Sequence, residues 1–167
     1  MRYFIGLGAN LGDRLSTLRQ AVCALEEVGR VVARSRVYAS AAVGGPPQPS
    51  YLNAAVLLEC ELTPMELLGR TQAIEESLGR DRSNEVRWGP RCVDIDLLLA
   101  GARGEVVLAE PGLTLPHPRL QERGFALAPL LDLDATLIHP ALDRPLKALM
   151  APAHAAGQQW APTGDLL

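Results

Sequence analysis

Strand-like and helix-like runs follow one another along the chain in the order strand, helix, strand, strand, helix, strand, with two further helical stretches behind them. This order predicts an α+β protein with a ferredoxin-like βαββαβ core, a mainly antiparallel sheet with helices packed on it, extended by a hairpin and C-terminal helices. Two other observations support it. The two core helices carry recognisable start and stop signals, and 167 residues with 48% hydrophobic content suffice for one domain with an ordinary core.

The first strand is expected over residues 2–8, followed by a turn of small residues, Ala9 to Gly12, and by Asp13 as a helix N-cap. Leu15, Leu18, Val22, Leu25 and Val28 recur at helical spacing until Gly29 stops the helix. Residues 30–40 read as a β-branched second strand, and the loop Ala41 to Ser50 is closed to regular structure by its glycines and prolines. A third strand spans 51–62. Thr63-Pro64-Met65-Glu66 forms a capping box with proline at the first helical position, and Leu67, Leu68, Thr71, Ile74 and Leu78 give the second helix its buried face. A strand over 92–100 follows, then a turn at Gly101–Gly104, a short strand around 105–109 and a helix from about Arg119. The end carries a short strand near 136–139, a helix starting near Asp143 and a tail expected to be loose from about residue 152. Residues 1–167 thus read as a single domain.

A formal net charge of -3 argues against a general polyanion binder, so positive charge matters only where it clusters. Cys23, Cys60 and Cys92 are odd in number and lack metal-ligand spacing, and they read as small core residues in a reducing cytoplasm. No run has the length of a membrane span, and no apolar targeting core precedes Gly6. The glycines at 6, 8 and 12 do not complete a dinucleotide fingerprint, because Leu11 stands where the third is required.

Chemistry concentrates between Gly79 and Leu99. Arg80, Arg82, Arg87 and Arg91 precede a strand in which Asp94 and Asp96 share one face, about 6 to 7 Å apart along the chain at roughly 3.3 Å per residue. Such carboxylates are either a solvated strand face or, if buried together, a pair needing cations. Mg²⁺ suits them, since it takes one or two carboxylates and completes its shell with water and phosphate oxygens. Guanidinium groups in a Gly/Pro-containing loop suit phosphate. Tyr51 beside Asn53 offers a ring and a carboxamide to a flat heterocycle, though both also suit a strand end. His117, held between two prolines near Arg119 and Arg123, forms a second small cationic group.

Arg87-Trp88-Gly89-Pro90-Arg91 followed by Asp94-Ile95-Asp96-Leu97 resembles the 6-hydroxymethyl-7,8-dihydropterin pyrophosphokinases of folate biosynthesis. The likeness also takes in Gly8 to Gly12, Tyr51 to Ala55, Thr71-Gln72, Ile74-Glu75, Gly79-Arg80, Leu115 to Arg119 and Arg123 to Phe125, in family order over about residues 3–140. It implies transfer of an intact pyrophosphoryl group from ATP, as co-substrate, to the hydroxymethyl oxygen of a reduced pterin, releasing AMP. It also implies two Mg²⁺ ions on Asp94 and Asp96, and Arg80, Arg82 and Arg91 on the phosphates. Arg87 and Trp88 fall in a loop that closes over the substrates. Val43, Tyr51, Asn53, Trp88 and Phe125 correspond to pterin positions. Gln72, Glu75, Leu97, Thr114, His117 and Arg123 correspond to positions around ATP, together with Arg80, Arg82, Arg87, Trp88 and Arg91. A cytoplasmic monomer acting on small molecules, with no nucleic-acid or membrane partner, is expected.

The chain departs from the family pattern at Ser40-Ala41-Ala42-Val43-Gly44, in place of Thr-Pro-Pro-Leu-Gly, and at Gly112, where some members carry arginine. Two other readings stay open. An Asp-x-Asp strand in such a sheet also suits nucleotidyl transfer with pyrophosphate leaving. The same topology serves RNA-binding modules, although those need exposed sheet aromatics and this chain is 4% aromatic.

Overall fold

The computed structural model describes residues 1–83 and 89–167. Its central sheet contains β1 (Arg2–Ala9), β2 (Arg30–Arg34), β3 (Arg36–Ser40), β4 (Tyr51–Glu59), β5 (Asp94–Ala100) and a C-terminal strand, Trp160–Leu166. The order across the sheet is C-terminal strand, β3, β4, β1, β5, with β2 also on β4, and every pairing is antiparallel. This is the predicted α+β architecture, with β1 and β4 at the centre and β5 at an edge.

Helices α1 (Arg14–Glu26) and α2 (Pro64–Ser77) cover one face. Asp13 caps α1 by accepting from the Ser16 N–H at 3.1 Å, and Thr63 and Glu66 close the predicted capping box on α2. The apolar stripes of both helices pack on Tyr3, Ile5, Leu7, Ala54, Val56, Leu58, Ile95 and Leu97. On the other face, Phe4, Ala55, Leu98 and Leu99 are covered by α3 (Gly124–Leu133) and α4 (Leu146–Ala155). Full burial of each leucine is worth roughly 1.5 to 3 kcal/mol, so two apolar layers hold the sheet between them. The second layer covers only part of its face.

Several expectations change in detail. The second strand breaks at Ser35, whose N–H still donates to the Ala55 carbonyl at 2.9 Å while its hydroxyl accepts from the Ala55 N–H at 2.8 Å and donates to the Arg36 carbonyl at 2.7 Å. In β5 a bulge makes Leu98 an extra residue between the pairs Ile5↔Leu97 and Phe4↔Leu99. Leu99 therefore joins Leu98 in the α3 layer rather than continuing the strict alternation. The strand expected near 105–109 lies at β6 (Leu108–Glu110), in a hairpin with β7 (Leu113–Leu115). The helix expected from Arg119 is a 3-10 turn, Leu120–Glu122, that hands over to α3 at Gly124.

β8 (Ile138–His139) pairs with β9 (Arg144–Pro145), which delays the helix expected near Asp143 to Leu146. The tail is not loose throughout. Its residues Trp160–Leu166, here β10, satisfy the otherwise open edge of β3, and Arg19 of α1 donates to the Leu166 carbonyl at 3.1 Å. Of the cysteines, Cys60 is buried and Cys92 half-buried, but Cys23 is exposed. Helical spacing turns Leu18, Ala21, Val22 and Leu25 inward and leaves Cys23 outside. No helix among the described residues is long and apolar enough to cross a membrane.

Candidate active site

Where the second apolar layer ends, the sheet face opens into a cavity of about 200 Å³. Its floor follows from register. Asp94 and Asp96 stand opposite Gly8 and Gly6 of β1, so the carboxylates face residues with no side chain. A Cβ on Gly8 would lie 3.7 Å from Asn53 Oδ1, 3.7 Å from Tyr51 Cδ1 and 3.8 Å from Asp94 Cβ. The empty place on Gly8 is thus the meeting point of the carboxylate and the aromatic-carboxamide pair.

The side chains around it are anchored. Asn53 is buried and donates to Ser40 Oγ at 2.9 Å and the Tyr38 carbonyl at 3.4 Å, which leaves its oxygen on the cavity side. Phe125 enters from the first turn of α3, and Val43 from the 41–50 loop. Arg91 binds Asp94 Oδ2 at 2.9 Å, and Arg123 binds Asp96 Oδ2 at 3.1 Å. Val43, Tyr51, Asn53, Arg91, Asp94, Asp96, Arg123 and Phe125 thus converge on one cavity although they come from four separate stretches of the chain.

Other expected residues lie beneath or beside it. Arg80 is buried, with Nη1 2.6 Å from Glu75 Oε1 and 2.7 Å from Asp94 Oδ1. Glu75, also buried, accepts from the Ile95 N–H at 2.7 Å and pairs with Arg82. Arg80 and Glu75 therefore lock Asp94 and the exposed edge of β5 in place, and Arg80 reaches the carboxylate from behind. Leu97 packs its side chain into the α1/α2 layer. His117 meets the same β5 edge, where its N–H donates to the Leu98 carbonyl at 2.9 Å. Gln72 on α2 is half-buried and Thr114 on β7 is exposed, outside the cavity lining. Arg87 and Trp88, expected in the closing loop, lie outside the described residues.

Electrostatics separates the acidic groups. Burial and the neighbouring Asp94 carboxylate push Asp96 up to about 6, against the pull of Arg123. Burial likewise raises Glu75, against the Ile95 N–H and its two arginines. His117 is lowered to about 4 by burial, then by Arg123, and its Nδ1 accepts from the Arg119 N–H at 3.1 Å. Neutral His117 is therefore an uncharged partner in a cationic corner near pH 7.

Asn10 escaped the sequence reading as a site residue, although it sits in the small-residue turn after β1. It is buried, its Oδ1 accepts from the Arg91 N–H at 2.7 Å, and its Nδ2 donates to Gln48 Oε1 at 2.9 Å and the Pro49 carbonyl at 3.1 Å. It ties Arg91 to the loop across the cavity mouth. The available signal was a polar residue flanked by Ala9 and Leu11 directly after a buried strand. Gln158, from the tail, also lines the cavity, with Arg119 and Glu122.

Residues 4–135 match the family model of 7,8-dihydro-6-hydroxymethylpterin-pyrophosphokinase (HPPK). The chain belongs to this family. It is 45% identical over 132 residues to the 2-amino-4-hydroxy-6-hydroxymethyldihydropteridine pyrophosphokinase of Bacillus subtilis, covering 78% of this chain and 76% of that protein. The enzyme of the same name from Aquifex aeolicus is 39% identical over 144 residues, covering 86% and 87%. Among solved structures, the fold is shared with a Plasmodium falciparum HPPK-DHPS bound to pterin and p-hydroxybenzoate, at a TM-score of 0.71 and 13% identity over 93% of this chain. A second HPPK-DHPS complex with substrates gives 0.69 at 10% identity over the same share. The chain spans less than half of those longer chains, 43% in each case.

Proposed function

We propose that this HPPK-family protein transfers the pyrophosphoryl group of ATP to the hydroxymethyl oxygen of 6-hydroxymethyl-7,8-dihydropterin, releasing AMP, in folate biosynthesis. The observation that carries this reading is the shared wall between the two halves of the cavity: Asp94 meets Tyr51 and Asn53 across the side-chain-free Gly8. A flat ring on that floor would lie beside the carboxylates, which places its substituent next to the phosphate chemistry.

The donor set fits Mg²⁺. Asp94 and Asp96 supply two hard carboxylates, and among the described residues no group of three or more His, Cys, Asp or Glu side chains is placed to hold a metal ion; phosphate and water oxygens would supply the other positions of an Mg²⁺ shell. When bound there, two Mg²⁺ ions supply neutralisation of the charge on the phosphate oxygens. The chain's own residues do the rest. Arg80, held by Glu75, orients Asp94. Arg91 and Arg123 are cations at the cavity wall that can turn from carboxylate to phosphate. Phe125 and Tyr51 hold the ring by its faces, and the Asn53 oxygen accepts from its N–H edge.

The hydroxymethyl oxygen then attacks the β-phosphorus in line. The new bond joins that oxygen to phosphorus, the bond from the β-phosphorus to the oxygen of the AMP phosphate breaks, and the hydroxyl proton passes to solvent. Little covalent chemistry falls to the protein, whose contribution is position and charge. Gln72, Arg82, Leu97, Thr114 and His117 belong on the adenosine side of the β5 edge, and the family likeness assigns Arg87 and Trp88 to the same substrate. Cys23, Cys60 and Cys92 are free, which fits a reducing compartment such as the cytoplasm.

The test is a mixture of ATP, Mg²⁺ and 6-hydroxymethyl-7,8-dihydropterin, in which AMP should accumulate only when the pterin is present. AMP formation that ignores the pterin, or a pterin left unmodified, would reject the proposal.

A further inference from the structure

The family match ends at residue 135, yet Gln158 returns to the cavity lining and Trp160, two residues on, packs on Gly124 and pairs with Ser40 behind two of its walls. The contacts centre on Gly124, the first residue of α3, which stands between Arg123 and Phe125. Arg123, at the N-cap position of α3, makes no side-chain capping bond. Gln158 supplies the missing partner from 34 residues away: its Oε1 accepts from the Gly124 N–H at 3.0 Å, while its Nε2 donates to the Glu122 carbonyl. One carboxamide therefore brackets Arg123 on both sides. An unmet N–H at a helix start is costly when shielded from water, so this contact holds the turn closed.

Trp160 adds a steric lock. Its indole lies so close to Gly124 that a Cβ there would be 2.1 Å from Trp160 Cζ3, and it stacks on His154 of α4 at 3.9 Å between ring centroids. Trp160 also pairs with Ser40 in the ladder between β10 and β3. Ser40 is the residue that receives the Asn53 amide. The segment from Gln158 to Trp160 thus touches the support of Arg123 and Phe125 on one wall and the support of Asn53 on the other.

We infer that Gln158 is a positioning residue for the reaction: through the Gly124 turn it holds Phe125 against the pterin and Arg123 against Asp96, with Trp160 clamping the same turn. The inference rests on the pterin reading above. Gln158 also faces the cavity itself, beside Glu122 and Ala126, so the clamp forms part of the ring's surroundings as well as its support.

The experiment compares wild type with Gln158→Ala and Gln158→Glu by four readouts: thermal midpoint, amide exchange at Gly124, fluorescence-measured binding of 6-hydroxymethylpterin in the presence of a non-hydrolysable ATP analogue, and the KM values of both substrates. Losing the bracket should weaken pterin binding and raise the pterin KM by about tenfold, the scale of one to two hydrogen bonds, while the ATP KM, which feels the turn only through Arg123, should rise by no more than about threefold. Gly124 exchange should quicken. Gln158→Glu keeps the acceptor for the Gly124 N–H and loses the donor to Glu122, so it should fall between the other two. It also serves if the alanine variant does not fold.

Pterin binding unchanged in both variants would overturn the proposal. So would equal losses for pterin and ATP that track the thermal midpoint, since those would mark a merely structural contact. Wild type that fails to bind the pterin overturns the pterin reading and the proposal with it, whereas binding by wild type with no contrast among the variants overturns the proposal alone.

Discussion

The two sides of the cavity are built differently. On the β5 side, Asp94 and Asp96 stand on an edge strand of the sheet, with Asp94 gripped by Arg80 and Arg91 and the strand edge tied to Glu75 by the Ile95 N–H. On the α3 side, Phe125 and Arg123 sit on a helix start with no local side-chain cap, where Gln158 accepts from the Gly124 N–H and Trp160 packs on Gly124, both from far along the chain. Charge must be placed to within tenths of an ångström, and buried ion pairs within one sheet edge provide that rigidity. A ring needs only a flat wall at the right spacing, which a borrowed cap provides. Errors on the β5 side should therefore damage turnover or folding, whereas errors on the floor and the α3 side should damage pterin affinity.

The largest effect on turnover should come from Asp96→Ala. Removing a carboxylate that anchors several kcal/mol of charge neutralisation should lower kcat by about a thousandfold or more. Because Asp96 is itself pushed up to about 6 by burial and by Asp94, its loss relieves repulsion, and the thermal midpoint at pH 7.5 should not fall. A normal rate at saturating Mg²⁺ would remove the metal role. Glu75→Ala should do the reverse. It leaves the buried Arg80 guanidinium short of a partner and the Ile95 N–H unmet, so unfolding free energy should fall by about 3 kcal/mol in urea titration. Unchanged stability would make Glu75 a direct ligand contact instead of the brace beneath Asp94.

A smaller effect is expected from Gly8→Ala. The added methyl meets its neighbours at ordinary contact distances and so should leave the fold intact, but it occupies the floor between Asp94, Tyr51 and Asn53. The pterin KM should rise roughly tenfold with little change in the ATP KM, equivalent to about 1.4 kcal/mol. An unaltered pterin KM would move the ring off this floor.

The smallest effect concerns pH, away from the cavity. His139 is buried, neither ring nitrogen has a hydrogen-bond partner among the described residues, and burial lowers its pKa. The fold therefore favours neutral histidine. Its contribution is complete above the unfolded-state pKa of about 6.5 and is lost as pH falls towards the lower folded value, because the unfolded chain takes up the proton first. His117, lowered to about 4, acts in the same direction between those two values. His139→Leu should flatten the decline of the thermal midpoint below pH 6.5; an identical decline would show that His139 titrates no differently in the fold.

What could be read in advance follows the same division. Alternation along β5 placed Asp94 and Asp96 on one face, and the helix caps at Asp13 and Thr63 marked boundaries that the structure keeps. These are local signals, carried by residues a few positions apart. The bulge at Leu98 and the break at Ser35 left no such trace, because each depends on a partner strand: β1 for the first and Ala55 for the second. Gln158 was hidden more deeply. It stands in an alanine-, glycine- and proline-containing tail that pattern alone marks as loose, and only the open edge of β3 and the uncapped start of α3 give that tail somewhere to bind. Arg80 shows a third kind of gap, since its likeness to a phosphate-contacting arginine gave no hint that it would be buried between Glu75 and Asp94.

The central claim is that both terminal phosphoryl groups of ATP travel together to an oxygen held beside Asp94 and Asp96. Isotope tracing tests it most directly, with ATP labelled at the β-phosphorus in one reaction and at the γ-phosphorus in another. Both labels should appear on the pterin in equal amounts, with unlabelled AMP released one for one. Label transferred from the γ position alone, or β label recovered as free pyrophosphate, would contradict the account.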